Sequence, residues 1–361
     1  MPEIRHHRLH KQNLLSQKFK DPVDVLKLLV AVQSQDYSGA KWALGQRTIG
    51  CTDEVVEQAF TDGRILRTHL MRPTWHFIAR EDIGWLLALT APRVSAMSAS
   101  YFRKAELDTK TTNKINRAFE NALEGGHQLT RDELREVSKR AGVEPGDSVR
   151  MGHIMLRAEL DGVVCSGARK GKRFTYALLS ERAPGATTME EDEALGELSQ
   201  RYFATRGPAT LHDFVWWSGL TMSQVKRGVE IARVKSELIN ETSYWSTATR
   251  KNTTPRAEGI AHLLPPYDEY FISYKDRSAA MHPKFSRALA AEKMVFESPF
   301  TMDGLVVGAW QRPDAGRNKT VLFKSFLELT RKDKKAVQAA LKRYFDFLGI
   351  DSSVAGCEFA S

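Results

Sequence analysis

The corner Met71-Arg72-Pro73 constrains this chain most. It separates two runs of strand-forming residues, 65–70 and 74–78, and makes a hairpin the natural reading. Helical signals precede it. Asp21 can cap, Pro22 suits the first helical position, and Val25, Leu26, Leu28, Leu29, Val30 and Val32 form a wide apolar stripe; Thr52-Asp53 then starts a short helix that Gly63 ends. Helices followed by a hairpin read as a winged helix, and the order recurs. Thr130 with Glu133 in the capping-box position opens a helix, residues 151–160 make another, and 163–165 with 174–178 bracket a hairpin tip. Residues 210–217, a turn containing Gly219, and residues 222–231 read as helix, turn, helix.

Punctuation supplies the boundaries. Pro92 is expected to close a helix begun near Asp82, the polar stretch 108–113 to open a second unit, and 184–193 to serve as a linker. Towards the C-terminus, 294–296 and 304–310 look like strands, with Asp303-Gly304 supplying a turn, and 330–347 like an amphipathic helix exposing Arg331, Lys332, Lys334, Lys335, Lys342 and Arg343. The expected fold is α+β and mainly helical, with three tandem winged-helix units at 1–110, 111–183 and 196–361. No tight repeat links the units; only the order of elements recurs.

The 361 residues suit two or three packed units, and 42% hydrophobic with 27% charged residues is the composition of a folded globular protein. A net charge of +9 favours a polyanionic partner, because each Lys or Arg set against a phosphate releases a condensed counterion. Charge alone does not separate DNA from RNA or a membrane. No run approaches a membrane span and no signal-peptide core follows the basic N-terminus, so a cytoplasmic protein is expected. Cys51, Cys165 and Cys357 are widely spaced without a Cys-x-x-Cys pattern and read as reduced thiols. His6 and His10 stand four apart but lack a third ligand; a disordered basic arm is the expectation there, and no metal or other cofactor is expected. Isolated histidines at 69, 76, 153 and 262 are read as ordinary, and Trp75, Trp216, Trp217, Trp245 and Trp310 as core.

Two stretches carry candidate chemistry. The tip at 167–173 holds Arg169, Lys170, Lys172 and Arg173; four mutually repelling cations on one hairpin favour a phosphate partner. A nucleotide-binding P-loop is rejected there, because only three residues separate Gly167 from Gly171 and Arg173 stands where Ser or Thr should hold magnesium. The other stretch is Gln33-Ser34-Gln35-Asp36, at the end of the first apolar stripe. Residues two apart share a side on extended backbone but not on a helix, so Gln33 and Gln35 can converge only if the chain leaves helical geometry here. By spacing alone, capping of a helix end and satisfying backbone groups is the better account of them.

This run, with Ala40-Lys41-Trp42-Ala43-Leu44, resembles the Gln-x-Gln motif of the AlkZ and YcaQ type DNA glycosylases, winged-helix proteins that excise bulky alkylated purines. Further landmarks follow in order: Arg72-Pro73-Thr74-Trp75-His76, then Leu263-Leu264-Pro265-Pro266-Tyr267-Asp268-Glu269-Tyr270, then Asp303-Gly304-Leu305-Val306-Val307-Gly308-Ala309-Trp310. Ser34 departs from the small or apolar residue usual between the glutamines. The resemblance implies a metal-free monofunctional glycosylase acting as a monomer on duplex DNA with alkylated purines, on a positive concave surface. Gln33 and Gln35 would be catalytic and Asp36 supporting.

An amide takes no proton at neutral pH, but it can orient water and stabilise a cationic sugar once an N7-alkylated, positively charged base is leaving. The resemblance also implies that a hairpin near Met302, Asp303 and Gly304 approaches DNA, a hairpin that merely closes the sheet being the alternative; Asp268 and Glu269 are read as structural, pairing with residues such as Lys275 or Arg277. A winged-helix regulator without catalysis, and a protein that binds lesions without releasing a base, are the alternatives.

Overall fold

The computed structural model describes residues 2–247, 258–281, 298–312, 320–351 and 356–360. The N-terminal segment is a docked helix, α1 (Pro2–Lys11), and not a disordered arm. Ile4 and Leu9 are buried, as is Arg8, which donates twice to the Pro208 carbonyl (3.0 and 2.9 Å) and sits over the Tyr274 ring. Alternating cations hid an apolar face from the sequence reading.

Helix α2 (Pro22–Leu29) opens on Asp21, whose side chain accepts from the Val23 N–H, and ends at Leu29 although the apolar stripe continues to Val32. Val30 takes φ +67°, and residues Ala31–Gln33 become strand β1. The hairpin strands β2 (Ile65–Leu70) and β3 (Thr74–Ala79) form as expected and complete a sheet of order β1-β3-β2 around α3 (Tyr37–Gly45) and α4 (Asp53–Thr61).

Pro92 does not end the next helix. Helix α5 runs from Ile83 to Lys104, since its buried face includes Trp85, Leu86, Leu89, Val94 and Phe102. Burying several such side chains, at about 1.5–3 kcal/mol each, outweighs the roughly 3 kcal/mol an interior proline costs. The polar stretch after Asp108 is the first turn of α6 (Thr109–Leu123), capped by Asp108.

The Thr130–Glu133 capping box opens α7 (Arg131–Arg140) as expected, and α8 (Ser148–Leu160) follows. A three-stranded sheet of order β4-β6-β5 joins β4 (Leu129–Thr130), β5 (Val164–Ser166) and β6 (Thr175–Leu178). After the short α9 (Leu179–Arg182), the proposed linker is held against the first unit by Thr187 N–H on the Glu81 carbonyl (3.0 Å). Helices α10 (Glu191–Arg206), α11 (Leu211–Ser218) and α12 (Met222–Ile231) precede a hairpin, β7 (Lys235–Ile239) and β8 (Thr242–Ser246). The chain closes with β9 (Ala261–Leu263), α13 (Glu269–Ile272), β10 (Pro299–Met302), β11 (Leu305–Gln311), β12 (Val321–Ser325), α14 (Arg331–Leu348) and β13 (Cys357–Ala360), the strands ordered β13-β12-β11-β10-β9. The strand expected at 294–296 lies outside the described residues.

Helical residues outnumber strand residues, giving a mixed helix-and-sheet fold. Two large cores stitch distant segments together. One runs from Val30 to Tyr274; the other joins Leu26, Trp42 and Phe60 to Trp310, Phe323 and Tyr344. Among the described residues no helix is long and apolar enough to cross a membrane.

Candidate active site

Leaving the helix at Val30 puts Gln33 at the end of strand β1, and Gln35 follows in a bend before α3. A β-branched residue at positive φ costs on the order of 1–3 kcal/mol and persists only where surroundings hold it; here Val30 is fully buried in the core. Gln33 pairs with His76 in the β1–β3 ladder, and the Ser34 N–H donates to the Trp75 carbonyl at 2.7 Å. Asp36 then caps α3 by accepting from the Gly39 N–H (3.1 Å) and forms an ion pair with Arg312. Its carboxylate is therefore already engaged.

The two glutamines part company. Gln33 is 6% exposed, and its Oε1 accepts from Arg72 Nη2 at 2.8 Å, while the same guanidinium donates to the Trp216 carbonyl at 3.1 Å. Gln35 is exposed and lines a cavity of about 390 Å³ together with His69, Trp75, Tyr101, Arg131 and His153. Gln33 is not among the residues lining it, so one amide faces the open space and the other stands behind. Tyr101 and Val149, 53% and 61% exposed, give the cavity an apolar rim, and Ser98 turns in a buried hydroxyl with no partner among the described residues.

A buried hub behind the motif explains the position of Gln33. Glu269 Oε1 accepts from the Gln33 backbone N–H (3.0 Å), and Oε2 accepts from Arg206 Nη2 (2.8 Å), Trp217 Nε1 (2.8 Å) and Ser273 Oγ (2.6 Å). Burial raises this carboxyl, but Arg206 and the hydrogen bonds more than offset it and hold the group below the usual glutamate value. Asp268 beside it pairs with Arg47 through 2.7 and 2.9 Å contacts. The partners are thus Arg47 and Arg206, not Lys275 or Arg277: the acidic residues turn inward, and Arg277 instead donates to the Phe271 carbonyl. The indoles of Trp42 and Trp310 donate to the carbonyls of Leu263 (2.6 Å) and Leu264 (2.9 Å). The four sequence landmarks are therefore joined to one another by hydrogen bonds.

At the basic tip, Arg169 approaches Glu57 (3.5 Å) and lies over the Tyr37 and Phe174 rings, and Lys170 approaches Glu133 (3.7 Å). Lys172 and Arg173 stand exposed at the turn around Gly171, φ +62°. The Met302, Asp303, Gly304 turn packs on its own protein: Arg5 Nε donates to the Asp303 carbonyl and Tyr270 Oη to that of Gly304 (2.8 and 2.9 Å), and a Cβ at Gly304 would meet Leu9 at 2.7 Å.

Trp217 and Trp310 are core, whereas Trp216 is 40% exposed. His76 and His262 are buried and pushed down to about 3 and about 4 by desolvation, so both are neutral near pH 7. Among the described residues no cluster of three His, Cys, Asp or Glu side chains could hold a metal. Sequence reasoning missed Arg72 and Glu269 as supports of the motif, although both lie within the quoted landmarks.

A family model described as DNA glycosylase AlkZ-like matches residues 26–347. The chain belongs to that family. A relative from Streptomyces sahachiroi, an interstrand DNA cross-link repair glycosylase, is 25% identical over 346 residues, covering 92% of this chain and 92% of its own. The solved structure of the Streptomyces sahachiroi DNA glycosylase AlkZ superposes with a TM-score of 0.81 over 99% of both chains, at 21% identity.

Proposed function

We propose that this protein hydrolyses the N-glycosidic bond of N7-alkylated purines in duplex DNA, releasing the base and leaving an abasic site. The observation that carries the reading is Gln35, an exposed amide on the wall of a cavity of about 390 Å³, inside the size range of small-ligand sites. A cationic base is a good leaving group, so the site must orient water and stabilise a developing positive sugar; it need not supply a Lewis acid. The Gln35 amide oxygen accepts from the water and turns its dipole to the sugar. Gln33, held by Arg72 and Glu269, fixes the end of β1 two residues before Gln35. Asp36 supports from a distance by starting α3.

In this reading the three sets of helices with hairpins are winged-helix units on one concave face. Lys172 and Arg173 meet phosphates, and the apolar rim of Tyr101 and Val149 accommodates adducts larger than methyl. Crosslink repair, the role of the Streptomyces relative, fits that open rim. The protein acts as a monomer without a metal.

The test is release of N7-methylguanine and of a bulkier N7 adduct from duplex DNA in EDTA, by wild type and Gln35→Ala. Release by wild type and its loss in the variant support the reading. Tight DNA binding without release by wild type refutes it in favour of a non-catalytic regulator.

A further inference from the structure

Gln35 orients water but cannot take its proton, and the cavity holds a group that can. His69 on β2 lines the same cavity as Gln35. Its Nδ1 lies 2.5 Å from Glu159 Oε2, which also accepts the His69 backbone N–H at 2.7 Å. Glu159, on α8, is 1% exposed, and its Oε1 has no hydrogen-bond partner among the described residues. A buried carboxylate bound to Nδ1 favours the tautomer with the proton on that nitrogen, leaving Nε2 basic. The Trp75 ring, 4.5 Å away between centroids, flanks the imidazole.

We propose that His69, oriented by Glu159, accepts the proton of the attacking water in the glycosylase reaction proposed above, on which this inference rests. The N-glycosidic bond breaks with its electron pair leaving on the cationic purine, which departs neutral. The water oxygen bonds to C1′, one water proton passes to His69 Nε2, and that proton then goes to solvent. Glu159 is a positioning residue.

The imidazole also shares its surroundings with other ionisable groups. Tyr101 on α5, Arg131 on α7, His153 on α8 and Tyr176 on β6 line the cavity. His76 on β3 and Arg67 on β2 act on the pair electrostatically. None of these is hydrogen-bonded to Nδ1, which Glu159 occupies.

The experiment is a pH–rate profile for single-turnover release of N7-methylguanine from duplex DNA by wild type, His69→Gln, Glu159→Gln and Gln35→Ala. Wild-type rate should rise from an acid limb to a plateau, as neutral imidazole forms. His69→Gln should lose that limb and fall about 100-fold on the plateau, the lower end for general-base catalysis. Glu159→Gln should keep the limb and the affinity for DNA but lower the plateau, because a neutral amide orients the ring less strongly than the carboxylate does; this carries the test if His69→Gln does not fold, and an unchanged plateau in Glu159→Gln overturns the proposal. A wild-type limb and plateau in His69→Gln, with Gln35→Ala inactive, overturns this proposal alone. A wild type that releases no base overturns the glycosylase reading and this proposal with it.

Discussion

Replacing Glu269 with Gln keeps the shape of the hub but removes its charge. Arg206 and Glu269 are both 0% exposed and lie 2.8 Å apart, so the variant leaves a buried guanidinium without its counterion. Removing one partner of such a pair costs about 3–5 kcal/mol. With an unfolding entropy of roughly 2.1 cal/mol/K per residue, a chain of 361 residues has about 0.76 kcal/mol/K, and the midpoint should fall by about 4–7 °C. Thermal unfolding at pH 7 measures this, with the exposed Asp192→Asn, which breaks an ion pair with Arg227, as a control that should leave the midpoint in place.

The pH dependence has a definite sign. The native carboxyl is held below its ordinary value, so its stabilising contribution is present above the unfolded-state pKa, about 4.3, and is lost as pH falls through the lower native value. The gap between wild type and variant should be full at pH 7 and narrow only as pH falls below the unfolded-state value, about 4.3. A shift under 1 °C at pH 7, or a gap that widens in acid, would refute the argument that Arg206 needs this anion.

Two further predictions follow from backbone and charge. Gly219 has φ +73° and an added Cβ would lie 2.1 Å from the Met71 carbonyl oxygen, so Gly219→Ala should lower the melting midpoint and, by displacing the corner that carries Arg72, slow base release at temperatures where the variant is folded. Lys172→Ala with Arg173→Ala should weaken binding to damaged and undamaged duplex alike and reduce the slope of log K against log salt by about 2, read by titration at several salt concentrations; an unchanged slope would remove these cations from the interface.

Local chemistry was legible wherever one side chain decides the outcome. The Thr130–Glu133 box, the corner at Met71-Arg72-Pro73 and the left-handed Gly219 between α11 and α12 all act within a few residues of themselves. What burial decides was not legible. Pro92 sits inside a helix because distant side chains cover α5, and α1 is helical because Arg8 finds the Pro208 carbonyl and the Tyr274 ring some 200 residues on.

The site divides the same way. The exit from helix to strand could be anticipated from the two amides, but their separation into a buried Gln33 and an exposed Gln35 depends on Arg72 and Glu269, from two other landmarks. His69 looked ordinary because its carboxylate partner lies 90 residues away.

The most direct measurement is a crystal structure of the protein on duplex DNA carrying a cationic 1-azasugar, a mimic of the departing-base transition state, with the free purine present. The account predicts the azasugar nitrogen in the cavity within hydrogen-bonding reach, directly or through one water, of the Gln35 side chain, with Gln33 still bound to Arg72. An azasugar seated away from Gln35, or a Gln33 released from Arg72 to contact the sugar itself, would contradict it.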